Sequence, residues 1–194
     1  MTAAVPVVNR FPDSRAADRE PYSIGLVAIL TTVVMLFTAF TAALLIRRTG
    51  DDWARVALPG IVWANTLVIL LSSAAIERAR AAVRANASQR AAGWMSVGAL
   101  FGLLFLAGQV IAWRSLAAHG VFLSSNPHAA FFYMLSGVHG AHVLGGLAAL
   151  GWTLGRTRAG AYGPARHAGL THAAVYWHTV GGVWLWLLAI LSTL

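Results

Sequence analysis

Five apolar stretches, each long enough to cross a bilayer, decide what this chain can fold into. They run at about 23–46, 58–76, 94–113, 129–154 and 171–194. A bilayer core about 30 Å thick needs roughly 20 apolar residues of helix. None of the stretches alternates apolar with polar residues, so strands do not compete. The expectation is an all-α, polytopic membrane bundle of five transmembrane helices. Composition agrees: only 10% of the 194 residues are charged, against about 25% in a soluble domain.

The segments between the stretches carry the breaks. Arg47-Arg48-Thr49-Gly50-Asp51-Asp52 ends the first helix. Residues 77–90 read as a charged, mostly polar connector, and residues 156–167, with Gly160, Gly163 and Pro164, as a loop. Asn126 followed by Pro127 is a helix start, with the Asn as cap and the Pro at the first helical position. Residues 1–22 are polar and mixed in charge, without the apolar core of a secretory signal. They are expected to form a cytoplasmic tail ahead of a bundle over 23–194.

All 14 basic residues are Arg. The tail, second loop and fourth loop hold three, four and three of them; the first loop, third loop and C-terminus hold three, one and none. Arg and Lys accumulate on the cytoplasmic side. The N-terminus is therefore expected inside and the C-terminus outside. The net charge of +8 is spread between apolar segments, so topology explains it and nucleic acid is not an expected partner. The inner-loop residues Arg78, Arg80, Arg84, Arg156, Arg158 and Arg166 are candidates to contact anionic lipid headgroups. With no cysteine, disulfides, thiolate nucleophiles and Cys-ligated metals are excluded.

Polar groups inside a membrane are costly and mark function or packing. The candidates are His139 and His142, then His178, Gln109, Asn65 and Glu77. At 1.5 Å per residue, His139 lies about 18 Å and His142 about 22 Å from the outer end of their helix, and His178 about 10 Å from the inner surface. His142 and His178 then share a depth, and Glu77 lies nearer the inner surface. The set reads as a polar cluster toward the cytoplasmic side. Its plain role is interhelical hydrogen bonding; ligation of haem or metal and proton transfer are the alternatives. Gly137, Ala141 and Gly145, and again Gly98 and Gly102, are small residues four apart, which let a neighbouring helix approach closely. No phosphate-binding glycine loop, acidic pair within a span or Ser-His-Asp set is present, so no catalytic residue is assigned.

The stretch Phe131-Phe132-Tyr133-Met134-Leu135-Ser136-Gly137-Val138-His139-Gly140-Ala141-His142-Val143 resembles a pattern of subunit III of haem-copper cytochrome c oxidases. Tyr176-Trp177-His178-Thr179-Val180 and Val183-Trp184-Leu185 resemble that family's C-terminal motif. Trp63-Ala64-Asn65-Thr66, Leu70-Leu71-Ser72-Ser73 and Glu77-Arg78-Ala79 are similar to the second helix of its short bacterial forms. The resemblance covers nearly all of the chain after residue 22. It implies a five-helix version of subunit III that carries no haem, copper or other metal of its own. Such a subunit packs beside the catalytic subunit I, holds structural phospholipid, and supports proton uptake and lasting activity in respiratory electron transport.

Three positions depart from the pattern. The family has Glu seven residues before the histidine matched by His178 and Asp three residues after it. Here these are Thr171 and Gly181. A Glu common in the first helix of the bundle is replaced at about Val33. The competing expectations are an accessory subunit of a nitric oxide reductase, a haem b anchor ligated by His142 and His178, and a small transporter.

Overall fold

The structure is a computed structural model that describes residues 20–164 and 166–193, with side chains from residue 23 onward. The expected tail over 1–22 thus lies almost wholly outside the described residues, as does Leu194. Five helices follow one another: α1 (Glu20–Arg47), α2 (Ile61–Arg84), α3 (Ser88–Ala118), α4 (Pro127–Arg158) and α5 (Ala168–Thr193). All five are long and apolar enough to cross a membrane. No β-strand occurs among the described residues, only an isolated bridge between Gly163 and Arg166.

Helices α2, α3, α4 and α5 form a ring in which each touches the next and α5 closes onto α2; α1 lies outside it, against α5 and α4. Fully buried Trp177, Trp184, Phe105 and Phe132 fill the ring. Large apolar residues point outward on every helix, among them Met35, Leu67, Leu103, Leu144 and Leu185. A water-soluble fold would bury them; lipid accepts them.

Apolar length underestimates the helices: the segment 77–90 is largely helical, and the loop expected over 156–167 begins only after Arg158. The connector expected over 77–90 is helix up to Arg84 and again from Ser88. Its turn is three residues, with Asn86 left-handed at φ 57°. The N–H of Asn86 meets Val83 O and that of Ala87 meets Ala82 O, which satisfies the last carbonyls of α2. Helix α4 continues through Arg156 to Arg158 and ends in the same way at Gly160, φ 72°. Charged turns extend these helices because Arg is a good helix former, and hydropathy counts do not see propensity. At the start of α4, Asn126 Oδ1 accepts from Ala129 N–H at 2.8 Å ahead of Pro127.

Close helix approach occurs at Gly98 and Gly102 but largely elsewhere on α4. A Cβ on Gly98 would sit 2.6 Å from Ile76, and one on Gly102 the same distance from Trp177. The matching point on α4 is Gly146, where a Cβ would lie 2.8 Å from Trp177. The stripe Gly137, Ala141 and Gly145 is a correction: among the described residues no helix presses closely on it, and a Cβ on Gly145 would make only ordinary contact with Tyr176 Oη at 3.5 Å. Ala141 and Gly145 are exposed, and a Cβ on Gly137 would meet nothing nearer than Trp113 at 4.0 Å. Spacing four names a face, but α3 and α5 pack against the next face round.

Candidate functional site

Two polar systems cross the bundle, and a third stands on its surface. The first begins with Ser72, fully buried on α2. Its hydroxyl donates to Gly98 O at 2.7 Å and accepts from Trp177 Nε1 at 3.1 Å. One side chain thus ties α2, α3 and α5. Two turns toward the start of α2, Asn65 Nδ2 donates to Phe105 O at 3.3 Å while its amide abuts Gly108. Thr66 accepts from Trp184 Nε1 at 3.0 Å. Each indole N–H inside the bundle finds an oxygen on a neighbouring helix, which a buried donor requires where no water competes.

The second system holds the ends opposite the α2–α3 turn. Ser136 accepts from Trp113 Nε1 at 3.0 Å, and Tyr133 OH donates to Val121 O at 2.9 Å. His128, buried at the start of α4, accepts from Val56 N–H at 3.3 Å and lies 3.2 Å from Leu191 O. It joins the α1–α2 loop to the end of α5. Nothing in the sequence singled out His128, because at the mouth of a helix a histidine looks like solvated rim.

The third system is an ion cluster. His178 Nε2 on α5 donates to Glu77 Oε1 on α2 at 2.7 Å, and Arg80 donates to the same oxygen at 2.7 Å. The Glu77 side chain is 45% exposed and that of His178 34%, so the cluster reaches the surface of the bundle.

The expected single cluster is therefore divided. Glu77 and His178 come together. Asn65 belongs to the α2–α3 seam. His142 stays with its own helix, its Nδ1 2.8 Å from Val138 O, and packs on Phe37 at 5.5 Å. His139 and Gln109 are buried in the ring, and neither finds a hydrogen-bond partner. The two-histidine haem site gains no support, because the Nε2 of His178 is engaged by Glu77. Among the described residues no three His, Asp or Glu side chains are placed to hold a metal ion. Of the arginines, Arg78 stacks over Trp94 at 5.0 Å, Arg80 is held by Glu77, and Arg158 donates to Ser96 at 3.1 Å. Arg84, Arg156 and Arg166 are exposed.

At the end of α1, the Arg47 guanidinium forks onto Asp52 at 2.7 and 2.5 Å. That hydrogen bond holds the Asp52 carboxyl below its ordinary value.

Comparison with known proteins places these features in one family. Residues 19–193 match the family model described as cytochrome c oxidase subunit III. The chain is 33% identical over 170 residues to cytochrome c oxidase subunit 3 of Synechocystis, covering 83% of this chain and 70% of that one. It is 31% identical over 199 residues to cytochrome c oxidase subunit 3 of Thermostichus vulcanus, covering 98% and 92%. A probable cytochrome c oxidase subunit 3 of Mycobacterium bovis is 29% identical over 174 residues, covering 87% and 86%. Five spanning helices and this kinship make the chain a multi-pass bacterial membrane protein. It belongs to the cytochrome c oxidase subunit III family.

Proposed function

We propose that the chain is the non-catalytic accessory subunit III of a bacterial respiratory haem-copper oxidase. The observation that carries this reading is the match to subunit III over residues 19–193. The geometry agrees with it. The ring is filled by side chains that pack on and hydrogen-bond to one another, as a scaffold requires. Haem and copper belong to the partner catalytic subunit I, beside which this chain packs. The N-terminus lies on the cytoplasmic side, on the strength of the arginine distribution.

The Glu77, His178 and Arg80 cluster serves the partner's proton uptake from that side. Thr171 and Gly181 carry no acid next to His178, and Glu77 supplies one from α2 instead. Arg84, Arg156 and Arg166, exposed at the same end, hold the headgroups of structural phospholipid. Add-back of anionic phospholipid to delipidated complex is expected to restore activity; a complex that loses no activity on delipidation contradicts the lipid role.

Oxygen turnover by the oxidase purified with and without this chain tests the reading. The depleted enzyme is expected to start at a comparable rate and to lose activity sooner during turnover. Glu77→Gln in the intact complex is expected to slow proton uptake without changing subunit content. An enzyme unaffected by depletion contradicts the supporting role, and one with no initial turnover places essential chemistry on this chain.

A further inference from the structure

Two buried polar side chains in the ring are left without partners. His139 on α4 is fully buried, and neither ring nitrogen has a hydrogen-bond partner. Gln109 on α3 is 2% exposed, and both its amide nitrogen and its oxygen lack one. Three aromatic rings pack on His139: Phe105 edge-on at 5.7 Å, Trp184 stacked at 5.3 Å and Phe37 at 6.1 Å. Rings satisfy packing but not a lone pair and an N–H.

Helix register brings the two residues to one level. Helices α3 and α4 run antiparallel, with Phe105 against His139, Leu106 beside Gly140 and Trp113 bonded to Ser136. Gln109 lies one turn from both Phe105 and Trp113 on the buried stripe of α3. It therefore faces the turn of α4 that holds Ser136, His139 and Gly140. The backbone there leaves room. Gly140 is buried, yet a Cβ on it would meet nothing nearer than Leu106 at 3.8 Å.

We infer that Gln109, His139 and the backbone recess at Gly140 form an internal binding site for water in the middle of the bundle. A neutral imidazole offers one donor and one acceptor, and a primary amide offers both. A water between them makes two to four hydrogen bonds, which is what an ordered buried water requires. Leaving these atoms unpaired would instead cost each group its desolvation without return. The site is separate from the Glu77 and His178 cluster and does not rest on the proposed function.

Water-edited solid-state NMR of the full chain in lipid bilayers tests this directly. With ¹⁵N-labelled His and Gln side chains, magnetisation from water is expected to reach the His139 ring and the Gln109 amide. Gly140→Ala fills the recess with one methyl group and is expected to abolish both transfers while leaving the backbone shifts of α3 and α4 in place. Gln109→Met is expected to remove the transfer to His139. Absence of transfer in the unmodified chain overturns the proposal, and so does a direct Gln109–His139 hydrogen bond. Transfer that survives Gly140→Ala undiminished overturns the assigned position. Should Gly140→Ala fail to accumulate, the unmodified spectrum alone decides.

Discussion

Helix α1 and helix α5 are both apolar spans, yet they are held in unlike ways. Only 22% of the most apolar stretch of α1 is buried, against 44% of that of α5. Helix α5 reaches across the ring: Trp177 bonds Ser72, Trp184 bonds Thr66, and His178 bonds Glu77. Helix α1 offers one narrow stripe, Val33, Phe37, Thr41 and Leu44. Across it, Thr41 accepts from Trp186 Nε1 at 3.2 Å. Both helices suit lipid equally well by composition. What separates them is that α5 carries polar groups whose only partners lie on other helices, while the hydroxyls of Thr32 and Thr38 turn back to α1's own backbone. In a membrane, packing and interhelical hydrogen bonds replace the hydrophobic drive between helices. The helix with more of both becomes the centre.

The difference can be broken from either side. The largest effect is expected from Gly102→Leu, which drives a side chain into Trp177 and Leu147 where even a Cβ does not fit. Overpacking a close-packed core costs about 1–3 kcal/mol or more. Here the neighbour is a rigid indole, so loss of assembled protein is expected, read as yield from the membrane. Normal yield would mean that Trp177 can leave the ring.

Phe37→Ala should act locally. Phe37 is buried against His139 and His142, and such truncations cost about 3–5 kcal/mol. That loss falls on the seam of α1 alone, since among the described residues α1 touches only α5 and α4 of the ring. Hydrogen exchange is expected to rise along α1 and stay unchanged in α2 and α3. A rise shared by all five helices would erase the distinction between ring and outlier.

Ser72→Ala is the smaller probe of the ring. It leaves Trp177 Nε1 without its acceptor and removes the donor to Gly98 O. Interhelical hydrogen bonds in membranes average about 0.6 kcal/mol, so a destabilisation of about 1–2 kcal/mol is expected for the two. Unfolding in mixed micelles measures it. Ser72→Thr, which keeps the hydroxyl, separates the hydrogen bonds from the packing.

The smallest effect concerns the loop that follows α1. Asp52 is bonded to Arg47, and its carboxyl titrates below the ordinary range in the folded chain. The pair's contribution is therefore complete above the usual Asp range and is lost as pH falls through the lower, folded value. Salt should weaken it, because both groups are exposed. Loop order followed against pH, with Asp52→Asn as the flat control, checks the sign.

Much of this was readable in the residues. Five runs of sufficient length gave the number of spans, and Asn126-Pro127 gave the start of α4 to the residue. Helix ends were less legible, because Arg78, Arg80 and Arg84 lower hydropathy without weakening a helix. The candidate site was legible by residue type and not by pairing. An intramembrane Glu and His call for partners, but only the approach of α2 to α5 shows that Glu77 and His178 choose each other. Depth estimates grouped His142 with His178, yet depth says nothing about which way a ring turns, and His142 turns back to Val138. Trp184 and Trp186 look alike on the page. One is buried and the other is 55% exposed, because residues two apart on a helix point to different sides.

Purification of this chain from its native membrane in mild detergent, with co-purifying proteins identified by mass spectrometry, tests its place in an oxidase most directly. Recovery with a large haem-copper catalytic chain in fixed ratio is the expected result. Recovery alone, or with proteins that hold neither haem nor copper, would contradict it.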